Sequence, residues 1–429
     1  MTLNILIKNI DILTCDDEVG DIKNGFVGIK DGYINFVDRD NAREFEANKI
    51  IDGKDKILMP GLINTHGHSA MTIFRNYAGD LPLEEWLFKY IIPKESALEE
   101  EDIYYGTMLG IAEMIKSGTT TFTDMYYHME QVANAVSESG IRSNITKSAV
   151  ILSSQKEDLK GASDYYKKWN KALNDRIRVS LEIHSTYLFT EELLRATANL
   201  ARELGAGIHI HLLETLWERD EMYRRFGMDS VELCEKCGIF EVPVTAAHCV
   251  HLTDDNIDVL AKKGVNVAHN PTSNLKLGSG IARIPDMIKK GINVTLGTDG
   301  VASNNNLNMF EEINLAALIH KGINKDPTVI GAKQAIYMGT VNGAKAVGFG
   351  NQIGKVKEGM KADLLILDTR EPHLCPMNDM SAAIVYSAQA SDVETVIVDG
   401  EILMENRCLK TIDIEKVKYK VRECAKRIL

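Results

Sequence analysis

The sequence predicts an α/β fold: a (β/α)8 TIM-type barrel joined to a small β-sandwich built from the two ends of the chain. Three observations carry that reading. Residues 57–345 alternate eight strand-like segments with amphipathic helical ones. Residues 1–56 and 346–411 are instead rich in short strands with Asp-Gly and Asn-Gly turns between them, so two strand-rich pieces flank a long middle. Residues 412–429 have helical periodicity and a basic end, the pattern of a closing helix.

In the N-terminal piece, ILIKNIDILT, GFVGIKDGYINFV and NKIIDGKDKILM alternate apolar and polar positions. The late piece repeats this in DLLILDT and ETVIVDGEILMENR. In the middle, the strand candidates are KILMPGLINTH, TTTFTDMYY, RSNITKS, RVSLEIHS, GAGIHIHLLE, VTAAHC, VNVAHN and NVTLGTDG. Stretches such as DIYYGTMLGIAEMIKSG and TEELLRATANLAREL follow them with helical spacing. Eight such units favour a closed parallel barrel over an open doubly wound sheet, and a barrel carries its chemistry at the C-terminal ends of its strands.

Composition narrows the function classes. The 429 residues are 45% hydrophobic and 26% charged, the balance of an ordinary globular protein. A net charge of -12 leaves no electrostatic footprint for nucleic acid or an acidic membrane. No apolar run reaches the roughly 18–20 residues that span a bilayer. The N-terminus lacks the features of a signal peptide and reads as a strand. Seven scattered cysteines, an odd number, fit a reducing cytoplasm. Cys234 and Cys237 form a lone Cys-x-x-Cys in a helical pattern, read as ordinary helix cysteines rather than a zinc site.

Sorted by strand, the polar residues converge. His66 and His68, in PGLINTHGH, follow strand 1; alternate residues of an extended chain point the same way, so both imidazoles can reach one ion. His184 ends strand 4, His211 strand 5, His248 strand 6 and Asp299 strand 8. Together these nitrogen and oxygen donors suit Zn²⁺ or Fe²⁺. With His66, His68, His211 and Asp299 as ligands, a position remains for water, whose pKa the ion lowers towards neutrality, supplying hydroxide. His209 faces the same way as His211 but one layer deeper, as a barrel-interior residue.

PGLINTHGH, EEWLF, HLLET, AAHCVHL, HNPTSNLKLGSGIA and LGTDGVASNNNLNMFEE together resemble the amidohydrolase superfamily, close to the 5-methylthioadenosine/S-adenosylhomocysteine deaminases. The resemblance runs over nearly the full length, split sandwich included. It implies one divalent metal ion per chain on His66, His68, His211 and Asp299, with Zn²⁺ the first choice and Fe²⁺, Mn²⁺ and Ni²⁺ compatible. It also implies hydrolytic deamination of a 6-aminopurine nucleoside, by metal-bound hydroxide attack at C6, to the inosine analogue and ammonia. Candidate substrates are 5′-methylthioadenosine, S-adenosylhomocysteine, 5′-deoxyadenosine and adenosine.

The resemblance assigns roles residue by residue. Glu214 donates to the ring nitrogen and then shuttles the proton. His248 orients and helps deprotonate the water, and Asp299 can also take up a proton. His184 contacts substrate. Glu95 holds the ribose hydroxyls, which a carboxylate can do by accepting two hydrogen bonds. Trp86 is a candidate for lining the purine pocket. His251 and His269 belong to the motifs without being ligands. His128 lies near the rim, and His320 and His373 give no signal. A homo-oligomer is implied, with no interface to point to.

One loop departs from the family. After strand 3 those deaminases carry an arginine, with a second further along the same loop, that bind the substrate's 5′ extension. Here Lys147 takes the first position and the second falls near Asp158. Lysine lacks the bidentate fork of arginine, and an aspartate repels a carboxylate. A small 5′ group is therefore expected to be preferred over that of S-adenosylhomocysteine. The alternative within the same scaffold is a hydrolase of a free aminated heterocycle such as guanine or an aminotriazine, which has no ribose for Glu95 to hold. A binuclear ring-amide hydrolase needs a lysine where His184 stands. A non-catalytic assembly protein of this fold would have lost ligands that this chain keeps.

Overall fold

The computed structural model describes residues 2–39, 45–151 and 154–429. Positions 1, 40–44 and 152–153 of the segments sketched above lie outside the described residues. The middle of the chain forms eight parallel strands: β1 (Leu62–Asn64), β2 (Thr119–Asp124), β3 (Arg142–Ser148), β4 (Ile177–Ser185), β5 (Ile208–Leu212), β6 (Val244–His248), β7 (Asn266–His269) and β8 (Val294–Leu296). They pair in sequence order. Backbone bonds join the two ends: Thr65 N–H donates to Leu296 O and Asp299 N–H to His66 O, both at 3.0 Å. The chain segments bearing two of the candidate ligands therefore seal the barrel.

The helix after β4 shows why these segments fold as they do. Thr190 caps the N-terminus of Glu191–Leu204 by accepting from Leu193 N–H, and Gly205, at φ +65°, ends it in the left-handed conformation glycine favours. Leu193, Leu194, Thr197, Ala198, Leu200 and Ala201 make one buried stripe against the barrel. The C-terminal helix Ile414–Ile428 likewise buries Val417, Val421, Cys424 and Ile428 at helical spacing. Lys420 bonds Glu101 on the helix Glu100–Lys116 at 2.8 Å.

The strand-rich ends form one mixed nine-stranded sheet. Its strand Leu3–Ile12 pairs with Ile22–Lys30, Ala47–Asp52 and Lys56–Pro60, and the last of these pairs with Leu364–Asp368 from the far end of the chain. It has its own apolar core, including Ile5, Ile7, Ile10, Val27, Leu364, Ile366 and Ile397.

One strand reading is corrected. KILMPGLINTH is not continuous: Lys56–Pro60 belongs to the terminal sheet and only Leu62–Asn64 to the barrel. The break is at Gly61, where a Cβ would stand 2.1 Å from the Thr120 side chain, so only glycine lets the chain pass from one sheet to the other here. The seven cysteines are free thiols, and Cys234 and Cys237 are buried in and just after the short helix Ser230–Lys236. Among the described residues, no helix is long and apolar enough to cross a membrane.

Candidate active site

Beyond the C-terminal ends of the strands lies a cavity of about 850 Å³. His68, Trp86, Glu95, Lys147, His184, His211, Glu214, His248 and Asp299 all line it. His66 lies directly beneath and is fully buried.

His66, His68, His211 and Asp299 each turn one donor atom inward, and these atoms lie within 4.8 Å of one another. The outer nitrogens show why. His68 Nδ1 donates to the Met125 carbonyl and His211 Nδ1 to the His184 carbonyl, both at 2.5 Å. A neutral ring that donates from Nδ1 has a bare lone pair at Nε2. The two Nε2 atoms nevertheless face each other at 3.3 Å. His66 Nδ1 contacts His209 Nε2 at 2.9 Å, and His66 Nε2 is buried without a hydrogen-bond partner. Asp299 Oδ1 lies 3.4 Å from His66 Nε2 and 3.2 Å from His68 Nε2. Facing lone pairs around a carboxylate require a cation between them. Metal–nitrogen bonds of about 2.0–2.1 Å set neighbouring tetrahedral ligands about 3.3 Å apart, and the three donor pairs at 3.2–3.4 Å have that spacing. The residues fit a divalent ion.

The electrostatics point the same way. Burial drives the His211 imidazole well below its usual range and lowers His66 to about 4, so both favour the neutral, ligating form. Burial also opposes charge on His68, but Asp299 and the Met125 carbonyl outweigh it and raise that group to about 9. The carboxylate of Asp299 thus favours a positive charge beside His68 Nε2, the place a bound cation would take. The second Asp299 oxygen is fixed by the hydroxyls of Ser273 (2.6 Å) and Ser303 (2.8 Å), which leaves Oδ1 free for an ion. No spacing rule singled out these serines, although both lie in the long polar motifs.

Three further groups surround the cluster. His248, at φ +70°, donates from Nδ1 to Asn274 Oδ1 at 2.8 Å, and the same nitrogen is 3.8 Å from Glu214 Oε1. Burial raises the pKa of Glu214, whose Oε1 accepts from Ser279 Oγ at 3.3 Å. The His184 ring stands 4.7 Å from that of His211, and burial lowers His184 to about 3. Glu95 accepts from Tyr126 Oη at 2.7 Å, leaving its second oxygen for another partner. Trp86 is buried and forms part of the wall. Lys147 pairs with Asp158 across 3.9 Å, so the two residues that stand where arginines were expected meet each other.

His209 lies one layer below, as its position implied, but it does more than fill space: it bonds the ring of His66. His128 lines the cavity mouth and is 3.8 Å from Glu100. His251 donates to the Ser279 carbonyl, His320 is buried against His269 at 3.2 Å, and His373 bonds Asp392. Glu182, 5% exposed on the cavity wall and raised by burial to about 7, carried no signal in the sequence, and neither did Glu218.

A parallel eight-stranded barrel with three histidines and an aspartate converging at its mouth is the architecture of a metal-dependent hydrolase, and comparison gives its family. Residues 57–403 match the model of the Amidohydrolase family, and the chain belongs to it. Within that family it is 60% identical over 430 residues to 5-methylthioadenosine/S-adenosylhomocysteine deaminase of Acetivibrio thermocellus, covering 100% of both chains. It is 47% identical over 429 residues to 5′-deoxyadenosine deaminase of Methanosarcina acetivorans, covering 99% of this chain and 98% of that one. A zinc-bound adenosine deaminase from Xanthomonas campestris superposes with a TM-score of 0.95 at 29% identity, over 100% of this chain and 99% of its own.

Proposed function

We propose that this chain hydrolytically deaminates 6-aminopurine nucleosides with a small 5′ group, such as 5′-deoxyadenosine, 5′-methylthioadenosine or adenosine. The water oxygen becomes the 6-oxo group, and the amine leaves as ammonia. The observation that carries the reading is the meeting of the four-donor cluster with Glu214 and His248 at one end of a cavity that also holds Glu95. Relatives that bear nucleoside deaminase names over the whole chain support it.

His66, His68, His211 and Asp299 would hold one divalent ion, most simply Zn²⁺. When bound, such an ion acts as a Lewis acid and makes hydroxide available near neutral pH. The remaining work belongs to the side chains. Burial keeps a proton on Glu214 to higher pH, so it can deliver that proton to N1 of the ring and later pass one to the departing amine. His248, held by Asn274, takes a proton from the attacking water. Asp299 stays anionic between His66 and His68, with its second oxygen on two serines, and is a ligand first and a transient proton acceptor second. His184 stays neutral and contacts the base. Glu95, steadied by Tyr126, accepts from the ribose hydroxyls, and Trp86 walls the pocket.

The 5′ preference rests on Lys147. Its charge is already matched by Asp158, and Glu182 lies on the same wall. Among the described residues lining the cavity, Lys147 is the one lysine or arginine, and it is already paired. The test is ultraviolet absorbance of the metal-loaded protein with adenosine, 5′-methylthioadenosine, 5′-deoxyadenosine, S-adenosylhomocysteine and guanine in parallel. Loss of the aminopurine spectrum is expected with the small 5′ nucleosides, and more slowly with S-adenosylhomocysteine. Turnover of guanine alone would remove the ribose role of Glu95 and the nucleoside reading with it.

A further inference from the structure

Glu218 sits in the first turn of the helix Leu216–Phe226, on the cavity wall, with 2% of its surface exposed. The pattern Thr215-x-x-Glu218 is that of a capping box, in which the glutamate would bond the amide of the capping threonine. The structure keeps only half of that box. Thr215 Oγ1 accepts from Glu218 N–H at 3.2 Å. The Glu218 carboxylate instead reaches back past Thr215: Oε1 accepts from Leu213 N–H at 2.9 Å and Oε2 from Glu214 N–H at 3.1 Å. Ser230 Oγ donates to Oε1 at 2.7 Å, and Thr186 Oγ1 lies 3.5 Å from the same oxygen.

The turn so held is an unusual one. Leu213 has φ +47°, a left-handed conformation that leucine adopts only under constraint. Its carbonyl is fixed as well, accepting from Val250 N–H at 3.1 Å and His251 N–H at 3.0 Å. This kink turns the chain from β5, where His211 points to the metal cluster, so that the side chain of Glu214 enters the cavity. A buried carboxylate that accepts from the N–H groups of two consecutive peptides, one on each side of the Leu213 Cα, fixes the backbone angles of Leu213.

We infer that Glu218 is a positioning residue for Glu214: its two oxygens lock the Leu213–Glu214 backbone and so set the reach of the Glu214 carboxyl to the substrate ring. This rests on the role proposed for Glu214. It distinguishes Glu218 from an ordinary helix cap, whose loss would fray the helix and leave the kink untouched.

The test is steady-state kinetics of the metal-loaded, full-length Glu218→Gln variant on 5′-deoxyadenosine, beside the wild type. Glutamine keeps the size but turns an NH₂ towards a backbone N–H. A displaced proton donor lowers kcat by about 10–100-fold. KM stays within about threefold of wild type, since ground-state binding is left alone. Bound metal stays near wild type, and the melting temperature falls by only a few degrees, so the variant is folded at the assay temperature. A Ser230→Ala variant, which only removes one bond to Glu218 Oε1, gives a smaller fall in kcat with the same unchanged KM. The inference is overturned if Glu218→Gln keeps its kcat, or if its fall only matches lost metal or folded protein. Should that variant not fold, an unchanged kcat in Ser230→Ala overturns it instead. A wild type inactive on every aminopurine nucleoside would sink the function reading rather than the geometry of Glu218.

Discussion

Each imidazole that faces Asp299 is held by its other nitrogen: His66 by His209, His68 by the Met125 carbonyl, His211 by the His184 carbonyl. Two of these holds use backbone, which no substitution can remove, so His209 is the place to test the principle. Outer partners of ligating histidines are typically worth about 10–100-fold in metal affinity. His209→Ala is therefore expected to lose zinc to a competing chelator at about 10–100-fold lower chelator concentration, while all four ligands remain. Chelator treatment of the wild type should abolish turnover and added Zn²⁺ restore it. Equal zinc retention in both proteins would show that packing alone orients His66. On the cavity wall, Asp158→Asn frees Lys147. The pair is partly exposed, and such pairs are worth about 0–1 kcal/mol, so the ratio of kcat/KM for S-adenosylhomocysteine to that for 5′-methylthioadenosine should rise by up to about fivefold. An unchanged or falling ratio would detach Lys147 from the 5′ end.

Elements explain what was legible in the sequence and what was not. Strand ends could be read because a parallel barrel strand is a short apolar run, and the polar residue that stops it stands at the rim. Asn-Thr-His-Gly-His, Ile-His-Leu-Leu-Glu and Ala-Ala-His-Cys all announce themselves this way. Contacts that leave the element did not. Ser273 and Ser303 reach Asp299 from two separate short helices, and Glu218 acts backwards over its own cap, so neither follows a period of 2 or 3.6. The break at Gly61 was hidden for a related reason: the apolar run crosses from one sheet to the other without a change in pattern. That crossing is tight. A methyl group at Gly61 must displace Thr120 from the start of β2, and overpacking of this kind costs about 1–3 kcal/mol. Gly61→Ala is expected to lower the thermal midpoint while leaving KM unchanged, since the clash is at the end of the barrel away from the cavity. A midpoint equal to wild type would mean that the two sheets slide apart freely.

At the scale of the whole molecule, the terminal sheet meets the barrel at its N-terminal end through buried charge. Arg142, at the start of β3 and fully buried, bonds both oxygens of Asp363, at 2.6 and 2.9 Å, and the carbonyl of Asp175 at 3.0 Å. Asp363 in turn accepts from Asp399 N–H, and Asp399 is bonded by Lys361 at 2.6 Å. These residues carry stability, not chemistry, as befits that face of a barrel. Removing one partner strands the others in a dry environment, so Arg142→Ala should lose about 3–5 kcal/mol in denaturant unfolding. The pH dependence gives a sharper test. Burial alone would raise Asp399, but Lys361, Arg142 and Arg176 outweigh it and hold its carboxyl below the usual range. A depressed carboxylate stabilises the fold fully above its unfolded value, near about 3.9, and stops doing so as pH falls through the lower folded value. Without Arg142 the depression shrinks, and acid unfolding should begin at higher pH. Circular dichroism during acid titration of both proteins would show the midpoint moving up in the variant. A midpoint shift no larger than the loss of stability at neutral pH accounts for would mean that Lys361 and Arg176 alone hold Asp399, and that Arg142 joins the two layers through Asp363 only.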